Sequence, residues 1–334
     1  MMLIGRPTDD PKQTFRTSKF DHLEFIDKAL AVVGSVPEIC DYLTPGNHRK
    51  FEKLLLSIFE NRGYVAGGFA RVSALSFLKG DQSLDDYMLR NRGQNIDIDV
   101  FFNDNAGFLS FCEEARALGF ETSKSLGGFC QDIIISIGFK VQAVSFKFAP
   151  PEEQMRAFDI VNAMVAFTSD ELIISDEWFK YEAKNEIHVA NWHSRMTLKR
   201  IGKWTRRHNI DNVSEQTAKN VSSMVFDLLS EYNSKISSLK EKIDPDDVMS
   251  SHIVSTTPFS FPSTSKSSPY QEILELQAKK NILVFDFKKL LKYLPDEILT
   301  FVYGIDEDLS YKALHEMLVR NGMDSLDPGS VVRI

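Results

Sequence analysis

Hydrophobic and polar positions change period several times along this chain. Up to about residue 61, FDHLEFIDKALAVV and HRKFEKLLLSIFE repeat apolar side chains every three or four positions, the spacing of helices with one face to bury. GYVA is then a short apolar run, Gly67-Gly68 interrupts it, and ARVSALSFLKG resumes helical spacing up to a glycine stop. That order predicts strand, turn and helix. Residues 81–94 are polar and predict a loop or short helix, after which NIDIDVFF alternates sharply and carries Ile, Val and Phe, a second strand. AGFLSFCEEARALG predicts a helix, FETS a strand, and DIIISIGFKVQAVSFKF a hairpin centred near Gly138. A short helix in EEQMRA precedes FDIVNAMVAF, whose alternation and β-branched content predict a further strand.

From about Asp176 the pattern turns helical, through DEWFKYEAKN, SRMTLKRIGKWTRRH and a long run from Val213 to Lys242. Residues 251–269 are rich in Ser, Thr and Pro without periodicity, which marks a linker or loop, and helical spacing returns from Tyr270. The expected fold class is therefore α+β: a mixed-sheet head with helices, followed by a mainly helical body and tail. In segments, 1–61 is a helical stretch packed on the head, 62–175 the head, 176–250 a helical neck and body, 251–269 the linker, and 270–334 a C-terminal helical segment.

Composition narrows the function classes. With 334 residues the chain exceeds one average domain. No run approaches the roughly 18 apolar residues of a membrane span, and MMLIGRPTDDPKQ lacks the layout of a signal peptide, so a cytoplasmic location is expected. Cys40, Cys112 and Cys130 are odd in number and far apart, which predicts reduced thiols rather than a disulfide framework or zinc site. A net charge of −8 argues against indiscriminate coating of nucleic acid and leaves room only for a local basic patch.

The alternation in IDIDV places Asp97 and Asp99 on one face of a strand and Ile96, Ile98 and Val100 on the other. Two carboxylates so close repel one another unless a cation lies between them, and hard oxygen donors favour Mg²⁺ or Mn²⁺. The plainer alternative is the wet face of an edge strand. Gly67 and Gly68, between a strand and a helix, tip the balance, because backbone N–H groups at a helix start can cradle phosphate. Arg71, one turn into that helix, is placed to reach a triphosphate. Neither the longer glycine pattern of a dinucleotide site nor the Gly-Lys-Ser/Thr of a P-loop is present.

Arg195, Lys199, Lys203 and Arg206 recur at spacings of three or four and form one stripe of a helix, a track for a polyanion or simply a solvated face. Leu198 and Ile201 face the core, while Trp204 is either a core residue or a ring for stacking on a base. His188 and His193 lack partners at metal-ligand spacing and are assigned no role, and no nucleophile elbow is visible.

GGFAR followed by DID resembles the polymerase-beta-type nucleotidyltransferase superfamily, which includes tRNA CCA-adding enzymes, poly(A) polymerases and phage-encoded chains. The resemblance covers roughly residues 50 to 210. RAFDIVNAM is similar to the Arg-Arg-Asp-Phe-Thr-Ile-Asn-Ala signature of CCA-adding enzymes, and SRMTLKRIGKWTRRHN to the helical neck after such heads. Departures are Ala157 for the second Arg, an acid one place closer to Asn162, Val72 for the usual Asp, and extra length between Gly68 and Asp97.

The resemblance implies a nucleotidyltransferase-type head in which Asp97, Asp99 and Asp159 hold two Mg²⁺ (or Mn²⁺) ions. It further implies that Gly67, Gly68 and Arg71 bind a nucleoside triphosphate such as ATP, and that Arg195, Lys199, Lys203 and Arg206 bind RNA. The activity implied is transfer of a nucleoside monophosphate to a hydroxyl acceptor, foremost RNA such as a tRNA 3′ end, with release of pyrophosphate. Modification of a protein or small molecule, and an inactive head kept for binding or scaffolding, are the other function classes.

Overall fold

The structure is a computed structural model and describes residues 13–35, 45–80, 83–91, 96–136, 138–192, 195–241, 272–280 and 283. The chain divides into two compact units, Met1–Ser214 and Glu215–Ile334.

In the first unit, strand β1 (Phe15–Lys19) leads into helices α1 (His22–Ser35) and α2 (Pro45–Glu60). Next come β2 (Gly63–Ala66), α3 (Gly68–Lys79), α4 (Ser83–Arg90), β3 (Ile96–Phe102) and α5 (Asn105–Ala117). Strands β4 (Glu121–Ser125), β5 (Cys130–Ser136) and β6 (Phe139–Val144) follow, then α6 (Pro151–Arg156), β7 (Val165–Phe167), β8 (Glu171–Ser175) and α7 (Asp176–Ala183). The unit ends with β9 (Glu186–Ile187), α8 (Arg195–His208) and β10 (Asn212–Val213).

Eight strands form one mixed sheet in the order β1-β8-β7-β2-β3-β6-β5-β4, which meets the α+β expectation. β3 and β6 run parallel, and the other described neighbours in this sheet run antiparallel. Alternation in β3 and β6 fixes which face is which. Ile96, Ile98 and Val100 lie in register with Phe139, Val141 and Ala143, all of them buried, whereas Asp97 pairs with Lys140 and Asp99 with Gln142 on the more polar face. The core behind the sheet is rich in phenylalanine. Phe25, Phe51, Phe69, Phe102, Phe111, Phe139 and Phe167 are almost wholly excluded from solvent and meet largely edge-on or tilted, as for Phe51 on Phe139 and Phe102 on Phe111.

Helices α1 and α2 contribute Phe25, Ile26, Leu54, Leu55 and Ile58 to this same core, so the N-terminal helices are part of the head. Helices α7 and α8, read from the sequence as neck, also belong to the first unit. The hairpin centred on Gly138 is present as β5–β6, with Gly138 at φ 79°.

Three elements differ from the sequence reading. β1 was absorbed into the N-terminal helical stretch because four of its five residues are exposed at the sheet edge, where no alternation is required. ELIIS forms β8 and pairs with β7, a strand after FDIVNAMVAF that the sequence reading does not predict. Within FDIVNAMVAF only Val165–Phe167 is strand, since Val161–Ala163 makes a 3-10 turn. Asn162 is the cause: its Nδ2 donates to Glu182 Oε1 and to the Glu186 carbonyl, and its Oδ1 accepts from the His188 N–H.

The second unit holds α9 (Glu215–Lys240), and residues 272–280 are helical. Ile236, Ile273 and Leu276 pack there with Tyr232 and Leu239. The Ser/Thr/Pro-rich segment 251–269 and most of the tail lie outside the described residues.

Gly107 in α5 is a point of close approach. A Cβ there would lie 2.3 Å from the Asn61 carbonyl oxygen, a backbone atom. Glycine to alanine within a helix ordinarily stabilises by about 0.5–1 kcal/mol. Here the sign reverses: Gly107→Ala is expected to cost about 1–3 kcal/mol in urea unfolding, because the turn before β2 and the start of α5 must separate.

Candidate functional site

The site is built where β2, β3, α3 and α8 meet. β2 runs antiparallel to β3 with Ala66 opposite Asp99, so the chain leaving β2 passes directly over that carboxylate. Gly67 makes the turn at φ 88° and ψ −147°, a conformation closed to residues with a Cβ, and caps α3 with no side-chain hydrogen bond. Contact reinforces the requirement, since a Cβ on Gly67 would lie 3.1 Å from Asp99 Oδ2. A glycine corner therefore sits against one of the paired acids.

Asp97 and Asp99 are both half-buried on β3. Asp99 is pushed up to about 7, chiefly by loss of hydration and next by the Asp97 charge, while the cations of Lys203, Arg200 and Lys140 pull the other way. Lys203 reaches from α8 to within 4.0 Å of Asp97 Oδ2. Burial lowers the Lys203 ammonium below its ordinary range.

The donor set suits a hard divalent cation. Mg²⁺ is commonly held by one or two carboxylates and completes its octahedron with water and phosphate oxygens. Asp97 and Asp99 provide such a pair, and a cation between them would offset both the lost hydration that chiefly raises Asp99 and the smaller repulsion from Asp97.

Asp159 is not brought into this pair. Among the described residues no group of three or more His, Cys, Asp or Glu side chains is arranged to hold a metal ion. Asp159 lies in the turn ahead of the 3-10 segment rather than on a strand, with its side chain 6% exposed, and its Oδ1 accepts from Arg200 Nη1 at 3.0 Å. Its Oδ2 is buried with no hydrogen-bond partner among the described residues. A buried carboxylate oxygen without a partner is costly, and the Arg200 contact at Oδ1 offsets part of that cost.

Arg71, expected at a phosphate, is buried instead against α7. Its Nε donates to Glu182 Oε1 and its Nη2 to Glu182 Oε2, each at 2.6 Å, with side chains 5% and 7% exposed. Those donors form the bidentate edge that would grip a phosphate. Arg71 is thus a brace between α3 and α7, and Asn162 shares the same carboxylate.

Helix α8 supplies the other wall. Lys199, Lys203 and Arg206 are exposed along it and Arg195 opens it, while Leu198 and Ile201 are buried as expected. Arg200, not singled out in the sequence, is the residue that reaches Asp159, and its spacing of three from Lys203 was the available signal. His208 closes the far end: its Nε2 lies 3.2 Å from where a Cβ on Gly68 would stand, with Trp204 Cζ2 at 3.8 Å. Gly68 is half-exposed beside them. Burial holds His208 well below the usual imidazole range, so it is neutral at physiological pH.

No family model and no curated protein matches the chain. Among solved structures, it is similar to a CCA-adding enzyme in complex with CTP, at 14% identity and a TM-score of 0.43, covering 95% of this chain and 68% of that one. It is also similar to the Thermotoga maritima CCA-adding enzyme complexed with tRNA, at 14% identity and a TM-score of 0.42, with 93% and 61% covered. A tRNA-processing enzyme in an apo form aligns over 93% of this chain and 94% of its own, at 14% identity and a TM-score of 0.36. These likenesses are distant.

Proposed function

We propose that this protein is a metal-dependent nucleotidyltransferase that moves a nucleoside monophosphate from a nucleoside triphosphate to a hydroxyl acceptor, foremost RNA. The observation that carries the reading is the juxtaposition of paired acids and glycine corner, with Asp99 Oδ2 only 3.1 Å from the Cβ position of Gly67. An uncapped helix start offers N–H donors and a positive dipole end to phosphate. The two aspartates beside it would hold Mg²⁺ or Mn²⁺ against the same phosphates. Such a cation supplies neutralisation of the triphosphate and a more acidic acceptor hydroxyl.

In the reaction, the acceptor oxygen forms a bond to the α-phosphorus while the bond from that phosphorus to the bridging oxygen breaks. Pyrophosphate leaves, and the hydroxyl proton passes to solvent. Asp97 and Asp99 would hold the metal, Gly67 would let the phosphates approach the backbone, and Lys203, 4.0 Å from Asp97 Oδ2, offsets part of the acidic charge. Lys199 and Arg206, exposed on α8, fit the backbone of an RNA acceptor. Asp159 is held by Arg200 at the edge of the same wall, where it would orient rather than ligate.

The test is incubation of the protein with each α-labelled nucleoside triphosphate, bulk RNA and Mg²⁺, beside Asp97→Ala and Asp99→Ala. Label should appear on RNA with the parent alone. Label on protein or on a small molecule instead would move the acceptor class, and label on no acceptor with pyrophosphate never released would leave a binding module.

A further inference from the structure

We propose that the solvent-facing side of Trp204 is a nucleobase subsite, so that the donor is held by its base as well as by its phosphates. This rests on the transfer reading above and names how that site takes the nucleoside. Three aromatic rings form a ladder between α4 and α8. Tyr87 stacks on His208 with centroids 4.9 Å apart and planes 20° from parallel, and His208 stacks on Trp204 at 4.2 Å and 29°. The inner rungs are fixed in the packing, Tyr87 being 4% and His208 9% exposed. Trp204 is half-buried, and His208 is its one ring contact among the described residues.

Packing explains the inner rungs. It does not explain why the ladder ends in a half-exposed indole at this place. Trp204 borders Gly68, a Cβ on the neighbouring Gly67 would stand 3.1 Å from Asp99 Oδ2, and Lys203, the preceding residue on α8, reaches Asp97. Phosphates at the glycine corner would therefore leave a base within reach of the indole, with α8 cations alongside. The ladder is uncharged at neutral pH, since His208 stays neutral, and it offers a flat π surface of the kind on which bases stack. Stacking responds to ring area rather than to donor and acceptor pattern, so the subsite takes every base and holds purines more tightly than pyrimidines.

Calorimetric titration with ATP and with inorganic tripolyphosphate, both in Mg²⁺, tests the proposal on the full chain. For Trp204→Ala, ATP should bind about 5- to 140-fold more weakly than to the parent, the range set by loss of one base–aromatic stack. Tripolyphosphate, which has no base, should bind both proteins alike and so report an intact phosphate site. Trp204→Phe should retain most of the ATP affinity. ATP should quench parent tryptophan fluorescence where tripolyphosphate does not, and Trp204→Phe should abolish that quenching. Unchanged ATP affinity in Trp204→Ala, or equal weakening of both ligands, would overturn the base subsite and leave the transfer reading standing. Failure of the parent to bind either ligand would overturn both.

Discussion

Asp99→Asn is expected to lower nucleotidyl transfer by about 100- to 1000-fold, the scale for removing one preorganised electrostatic group at a reacting centre, while making the metal-free protein more stable at pH 8. The two effects have one origin. In the folded chain Asp99 is pushed from 3.8 up to about 7, first by lost hydration and then by Asp97. Below pH 3.8 the carboxyl is protonated in both folded and unfolded chains and exerts no pull. As pH rises from there towards 7, the unfolded chain releases its proton and the folded chain keeps it, so this group's contribution to stability falls throughout that window and is fully unfavourable above it. An asparagine has no proton to lose. The melting temperature of the parent should therefore fall relative to Asp99→Asn between pH 4 and 7 without metal, and Mg²⁺ should close the gap at pH 8. Equal pH profiles for the two proteins would contradict this assignment of strain to the acid pair.

Glu182→Ala is expected to destabilise the first unit by about 3–5 kcal/mol in urea unfolding, the cost of leaving one half of a buried ion pair. Arg71 is 4% exposed, so its guanidinium cannot recover hydration when the carboxylate is lost, and Asn162 loses an acceptor at the same time. Replacing both partners by apolar residues, as in Arg71→Met with Glu182→Leu, should recover much of the loss, because neither charge is then stranded. A drop below about 1 kcal/mol for Glu182→Ala would mean that Arg71 finds another partner or water. Since α3 begins at the glycine corner, the weakened brace should also loosen nucleotide binding.

The parts of the fold carried by strong local patterns were legible in the sequence. IDIDV could alternate only as a strand with its acids on one face, and GYVAGGFA could only turn at its glycines, so the strand that carries the acids and the glycine corner before α3 were legible from residues 64 to 99. The basic face of α8 was visible by the same logic of spacing. What escaped depended on partners distant in sequence. Arg71 looked like a phosphate ligand because its partner Glu182 lies 111 positions away and carries no local signature. Asp159 looked like a strand acid because Ile160 and Val161 are β-branched, while the bonds of Asn162 that bend the segment reach to residues 182–188. β1 was hidden for the opposite reason, an exposed edge that imposes no pattern of its own.

Electron paramagnetic resonance of Mn²⁺ bound at pH 8 in the presence of tripolyphosphate, for the parent and for Asp97→Asn/Asp99→Asn, tests whether the acid pair holds the cation. Mn²⁺ should be held by the parent together with the phosphates and released in the doubly substituted chain, whose fold remains intact. Equal Mn²⁺ uptake by the two proteins, or none by the parent, would contradict it.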